Sequence, residues 1–470
     1  MQFRSVFIDQ FTPIAFLKKL KDKFKDERIF LLESAMINEY GNYSYIVIGA
    51  RERVVFKGGI TKYTNEDGKT TEIAKEPLAF LQEYYSNIDN AKYQELCRQS
   101  GLGFVDGFVG FIGYDVIKEF EPVLKPVMDT LRDETDTPDV DMMRPKIIIG
   151  YSHKNCKLTM LSSAASYDGF LGEIESMLLG DYSYEPLVRP SGSFATTTIL
   201  SDEQFKESVV TAKEHIRAGD VFQILVANRT TVEANVDAYS FYRVLRAKNP
   251  SPYMYLLEYE DFSIAGSSPE VMIKLENDEI LIRPIAGTRK RGHDIQKDLE
   301  METEMLNDPK ERAEHIMLVD LARNDIGRVS KAGSVKVGEL MRVERYSHVM
   351  HMVSDVTGSL EESKDMFDLF RATFTAGTMT GAPKIKAMEI IARLEGVKRG
   401  FYSGSVGYFG FDGNMDFAIA IRTALVKKDK IVFQAGAGVV ADSVPELELK
   451  EIKNKLAANI SSFEDLKNLK

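Results

Sequence analysis

The chain has 470 residues, 44% of them hydrophobic and 28% charged, with a formal net charge of −11. That length buries a large core, in two subregions or one elaborated domain. The charge argues against non-specific nucleic-acid binding but not against an anionic substrate, because the local field of a site decides that. Cys97 and Cys156, the two cysteines, have no metal-ligand spacing, which argues against disulfides and structural zinc.

No apolar run reaches spanning length, and the opening MQFRSVFIDQFTPI lacks an uninterrupted apolar segment, so a cytoplasmic location without a membrane partner is expected. Residues 1–190 alternate β-rich runs (RIFLLESA, YSYIVIGA, RVVFKGG) with turns and helical stretches such as EPLAFLQEYYSNI. FVGFIGYDVIKEFE reads as a strand entering a helix. The Pro/Ser/Thr-rich YEPLVRPSGSFATTT reads as a linker, dividing an N-terminal region (1–190) from a second region (195–465). After it, SDEQFKESVVTAKEHIRAGD is an expected helix with Ser201 as N-cap and Gln204 closing a capping box. VFQILVANRTTVEA reads as a strand.

In DPKERAEHIMLVDLARND, Asp308 takes the N-cap position of a helix and Glu311 its N3 position. DLFRATFTAGTMTGAPKIKAMEIIARLEG reads as helix, glycine-rich turn and helix, with Pro383 near the start of the second and Gly396 at its end. SGSVGYFGFDG and DFAIAIRTALV form an expected hairpin around Asp412-Gly413, with KIVFQAGAG as a further strand. Strands mixed with helices, without a βαβ repeat, predict an α+β fold.

The chemistry concentrates at the C-terminal end. Arg422 is expected on a strand, Gly436 and Gly438 in a glycine-rich turn, and Glu448 and Glu451 three residues apart on one face of a helix. Glu311 and Glu314 repeat that spacing. Glu311 alone reads first as a capping-box residue, and Glu448/Glu451 alone as a solvated face. Two such pairs flanked by apolar sequence, with no cation expected on the Glu311/Glu314 face, point to Mg²⁺ shared between two helices. An arginine inside an apolar run is a carboxylate partner as readily as a surface ion pair. GTMTGAPK departs from the phosphate-loop pattern, yet its helix N-terminus is a general anion site. His351 reads first as a satisfied core histidine.

Six segments then carry a resemblance: PIAGT (284–288), MLVDLARNDIGR (317–328), RYSHVMH (345–351), TAGTMTGAPK (375–384), IRTAL (421–425) and QAGAGVVADSVPELELKE (434–451). In this order, over roughly residues 195–460, they resemble the chorismate-binding enzymes, and within them the large subunits of anthranilate synthases. The resemblance implies a layered α+β fold, with a β-sandwich-like core of antiparallel sheets flanked by helices, and a Mg²⁺-dependent site. It implies metal ligation by Glu314 and Glu451, with Glu448 and Glu311 in support. Arg422, Tyr402 and the backbone at Gly436 and Gly438 would hold substrate carboxylate. Thr378, His351, Lys455 and the Ala286-Gly287-Thr288 segment would also line the site.

The implied reaction is amination of chorismate at C2 by ammonia with loss of pyruvate, Glu311 protonating the departing C4 hydroxyl. Sister enzymes carry lysine where this chain has Ala286 (aminodeoxychorismate synthases) or Gln223 (isochorismate and salicylate synthases). Alanine cannot attack and an amide cannot serve as a base, so external ammonia is left as the nucleophile. Neither cysteine lies in a glutaminase-like elbow, which implies a separate glutamine amidotransferase subunit and a hetero-oligomer. Glu33 and Ser34 in LLESA, and Asn249, Pro250, Ser251, Tyr253 and Met254 in NPSPYM, resemble the family's tryptophan feedback pocket. A chain without tryptophan suits an enzyme made when that amino acid is scarce, although chance explains it too. The rivals are aminodeoxychorismate synthase on the same scaffold and a non-enzymatic carboxylate-binding protein.

Overall fold

The computed structural model describes residues 2–34, 42–345 and 349–469. The alternating Val/Ile/Tyr runs form strands, and every pairing between named strands is antiparallel. The long strand Tyr43–Lys57 pairs with Ile29–Glu33 on one side and Val140–Ser152 on the other. Ile29–Glu33 in turn pairs with Tyr253–Glu258, placing Glu33 opposite Met254. Gly107–Ile112 pairs with Ser405–Gly410. Strands from before and after the linker thus share one large sheet, and a small second sheet holds Ile285–Lys290, Arg342–Arg345 and Val349–Val353.

The period-two pattern sends alternate side chains to two cores. From Gln223–Glu233, Leu225 and Ala227 enter the first core, while Ile224 and Val226 enter the second. Tyr255 and Leu257 divide from Met254 and Leu256 in the same way. The strand pair Ser405–Gly410 and Met415–Ile419 contributes only to the first core, where Phe409 and Phe417 meet Phe367 and Phe370 of the helix Met366–Thr373. The second core lies under the helices Asp202–Arg217, Ala238–Lys248 and Pro445–Lys467. Each fully buried Leu, Ile or Phe contributes about 1.5–3 kcal/mol, so these layers hold the strand ends that carry the site. This is the expected layered α+β architecture.

Local signals hold where chemistry is local. Ser201 and Gln204 form the reciprocal capping box, and Asp308 caps Pro309–Gly327 by accepting from the Lys310 and Glu311 N–H groups. Two expectations are corrected. Gly436 and Gly438 lie inside the strand Lys430–Val439, opposite Ala227 and Leu225, as the strand reading of KIVFQAGAG expects and against the glycine-rich turn placed on the same residues. Ten residues of ladder pairing with Gln223–Glu233 outweigh the turn preference of two glycines. Arg422 stands at a break between the strands Met415–Ile419 and Thr423–Lys427, with φ 51, and not within a strand. A non-glycine residue in that region costs about 1–2 kcal/mol, a cost sustained where packing holds the residue for a purpose. No helix among the described residues is long and apolar enough to cross a membrane.

Candidate active site

The helix Pro445–Lys467 packs on the strand Lys430–Val439, and the helix Pro309–Gly327, packed on Ile285–Lys290, brings Glu314 towards that strand. A Cβ placed on Gly438 would stand 2.7 Å from the Gln223 Nε2 and 3.9 Å from the Glu314 Oε1. The glycine therefore keeps a gap between strand and helix, and Glu314 looks across it. Burial holds the Glu314 carboxyl above its usual range, and the charges of Glu311 and Glu451 push it further the same way. Glu448, which is buried, is also raised by burial and by Glu451, against the Ser443 hydroxyl, which lowers it. Carboxylates from two separate helices thus repel one another across one space, as the repeated spacing predicts.

Cations hold two of them. Lys455, one turn beyond Glu451, places Nζ 2.6 Å from the Glu451 Oε1 and donates to the Gly436 carbonyl at 2.9 Å. Arg289 donates to Glu311 at 3.0 Å and also pairs with Glu304 and Asp308. The expectation of no cation on the Glu311/Glu314 face is therefore corrected: Arg289 comes from the strand Ile285–Lys290, which helix periodicity does not register. Among the described residues no three carboxylate or imidazole side chains stand ready-made to hold an ion.

The remaining expected residues gather at the same place. Arg422 donates to the Lys455 carbonyl at 3.1 Å. Burial pulls its guanidinium below the usual range, with the neighbouring Tyr402 and Glu451 acting the other way. Tyr402 is buried, and that burial raises its hydroxyl, so it stays a neutral donor. The His351 Nδ1 donates to the Gly287 carbonyl at 2.9 Å and lies 3.1 Å from the Thr288 hydroxyl. That carbonyl puts the ring proton on Nδ1, and burial, aided by the Arg422 charge, depresses the imidazole and keeps it neutral. Gly287 has φ +64, and a Cβ there would come within 3.4 Å of the Glu311 Oε2. Ala286 is buried beside it, across from Met352, and Gln223 is buried in its own strand.

One central group escapes the sequence reading. Glu270 joins the strands Phe262–Ser268 and Val271–Glu276, is only 8% exposed, and accepts from the Thr378 hydroxyl at 3.0 Å. Burial raises its carboxyl to about 7, against the Thr378 hydrogen bond and the Lys455 charge. The available signal was a lone carboxylate inside the apolar run SIAGSSPEVMI. The site therefore offers a basic wall for an anion (Arg422, Lys455), a neutral donor (Tyr402), a neutral imidazole whose Nε2 is an acceptor (His351), a buried acid and an oxygen-rich cluster.

A second cavity of about 180 Å³ lies beside the Ile29–Glu33/Tyr253–Glu258 pair. Glu33, Ser34, Tyr253 and Met254 line it, together with Tyr43, Tyr45, Tyr255 and Tyr408. Glu33 is fixed there by Tyr242 at 2.6 Å and Arg246 at 2.9 Å. Asn249, Pro250 and Ser251 form the turn leading in, with Asn249 and Ser251 bonded to the Ser267 hydroxyl at 3.0 and 2.9 Å, behind the cavity wall.

Residues 34–461 match the family model of the chorismate binding enzyme. The anthranilate synthase component 1 of Aquifex aeolicus is 41% identical over 476 residues, covering 98% of this chain and 94% of that one. That of Acinetobacter calcoaceticus is 40% identical with the same coverage. The crystal structure of anthranilate synthase component I from Streptococcus pneumoniae, 32% identical, superposes with a TM-score of 0.78 over 97% of this chain and 98% of that one. The chain that converges these carboxylates and cations belongs to the chorismate-binding enzyme family.

Proposed function

We propose that the protein aminates chorismate at C2 with ammonia, expels the C4 hydroxyl as water and then loses the C2 proton and pyruvate to give anthranilate, the first step of tryptophan biosynthesis. The observation that carries this reading is the meeting of Glu314 and Glu451 from separate helices beside Arg422, Lys455 and the buried Glu270.

Mg²⁺ fits the donor set, which is all oxygen and mutually repelling. Glu314 and Glu451 would hold it, with Glu448 and Glu311 supporting through water, and when bound the ion polarises the substrate's ring carboxylate. Arg422 and Lys455 counter the substrate's two carboxylates, and Tyr402 donates to one of them. For the proton to the departing hydroxyl, we assign Glu270 in place of Glu311. Its carboxyl near 7 is partly protonated at neutral pH and already oriented by Thr378, whereas Glu311 is occupied by Arg289. His351, neutral and fixed by the Gly287 carbonyl, orients substrate through its Nε2 as an acceptor. Ala286 and Gln223 offer no competing nucleophile or base.

Ammonia would come from a separate glutamine amidotransferase. Cys97 suits no glutaminase role, since burial raises its thiol and Asp412 raises it further. Tryptophan would act as inhibitor in the tyrosine-lined cavity, whose aromatic wall suits an indole. The test supplies the purified chain with chorismate, Mg²⁺ and ammonium at alkaline pH and follows anthranilate fluorescence. Formation of 4-amino-4-deoxychorismate, or no product, overturns the reading.

A further inference from the structure

Lys455 contacts one acid of the site directly and acts on three more through its charge. Its Nζ lies 2.6 Å from Glu451 and 2.9 Å from the Gly436 carbonyl. Its charge also reaches Glu270, Glu314 and Glu448, which belong to three different segments. The backbone of Lys455 is held by Arg422, whereas its four-carbon stem is flexible and ends in a compact charge. The ammonium thus stands on the carboxylate expected to face the metal, and next to the wall expected to face the substrate.

We infer that Lys455 is a resident counter-ion which a divalent metal must displace from Glu451, and that its release towards the substrate makes metal and chorismate binding mutually supportive. This rests on the Mg²⁺-dependent reading above. A divalent ion on Glu451 would face a like charge bonded to the same carboxylate, and their mutual repulsion weakens the hold of each on it. Once displaced, the ammonium has lost its carboxylate partner and is best satisfied by an anion arriving beside Arg422. Each ligand then removes part of the other's cost, and linkage requires the effect to be reciprocal.

The experiment titrates Mg²⁺ alone by calorimetry into the wild type, Lys455→Met, Lys455→Gln and Lys310→Met, with circular dichroism to confirm folding. Lys310 is the control because it faces Glu314 and Glu448 through space. Loss of a competing cation tightens Mg²⁺ binding about tenfold in both Lys455 variants, within the range usual for coupled sites. A mere field effect would act equally in Lys310→Met, where a change below about threefold is expected. Chorismate tightens Mg²⁺ binding in the wild type by about tenfold but not in either Lys455 variant. Unchanged or weaker Mg²⁺ binding in the Lys455 variants, an equal gain in Lys310→Met, or surviving coupling overturns the inference while leaving the metal site intact. No Mg²⁺ binding to the wild type overturns the metal reading itself, and the inference with it.

Discussion

Replacing Glu270 by glutamine separates catalysis from stability, because one property of this carboxyl serves both. Burial lifts the group from 4.5 to about 7 in the folded protein. The native state therefore binds this proton more tightly than the unfolded chain. The stabilisation this confers is complete below pH 4.5 and lost as pH rises through 7. At 1.36 kcal/mol per unit the swing is about 3 kcal/mol. Glutamine keeps the shape and the acceptor for Thr378 but never ionises, so Glu270→Gln escapes the loss. A chain of this length melts with roughly 1 kcal/mol per degree, so the Tm of the variant relative to wild type should rise by about 3 °C between pH 5 and pH 8.5. Turnover should fall about 100-fold or more, the usual worth of a positioned acid. The assays are metal-free calorimetric melting across pH and anthranilate formation at saturating chorismate. Wild-type turnover in Glu270→Gln, or a Tm difference that does not change with pH, would refute the reasoning.

Glu314→Ala and Glu451→Ala should each abolish measurable Mg²⁺ binding and turnover together; a variant that keeps either property removes that carboxylate from the metal site. Arg422→Ala should raise KM for chorismate roughly tenfold to hundredfold, the worth of a charged hydrogen bond. Arg422→Gly should show the same kinetic loss yet melt higher than Arg422→Ala, because glycine relaxes the φ of 51. Millimolar tryptophan should slow the wild type and raise its Tm, while phenylalanine at the same concentration does neither; no effect of tryptophan on both measures would remove the inhibitor assignment from the cavity.

Much was legible in the sequence where the physics is local. The i, i+3 spacing put Glu311 with Glu314 and Glu448 with Glu451 on single helix faces. Asp308 and Ser201 announced their caps, and Asp412-Gly413 announced its hairpin. The tertiary structure alone decided what those faces meet. Glu270 and Thr378 are 108 residues apart in sequence, and only sheet packing brings them to one hydrogen bond. Arg289 reaches Glu311 from a strand, and Lys455 reaches Gly436 from a helix. The two glycines carry both a strand signal, in KIVFQAGAG, and a turn signal from their composition, and ladder partners in Gln223–Glu233 decide for the strand. Arg422 was misread because an apolar run carries no mark of the single left-handed residue that breaks it. Periodicity and capping act within a few residues, but a carboxyl's proton affinity and an arginine's partner depend on burial and charge supplied by distant segments.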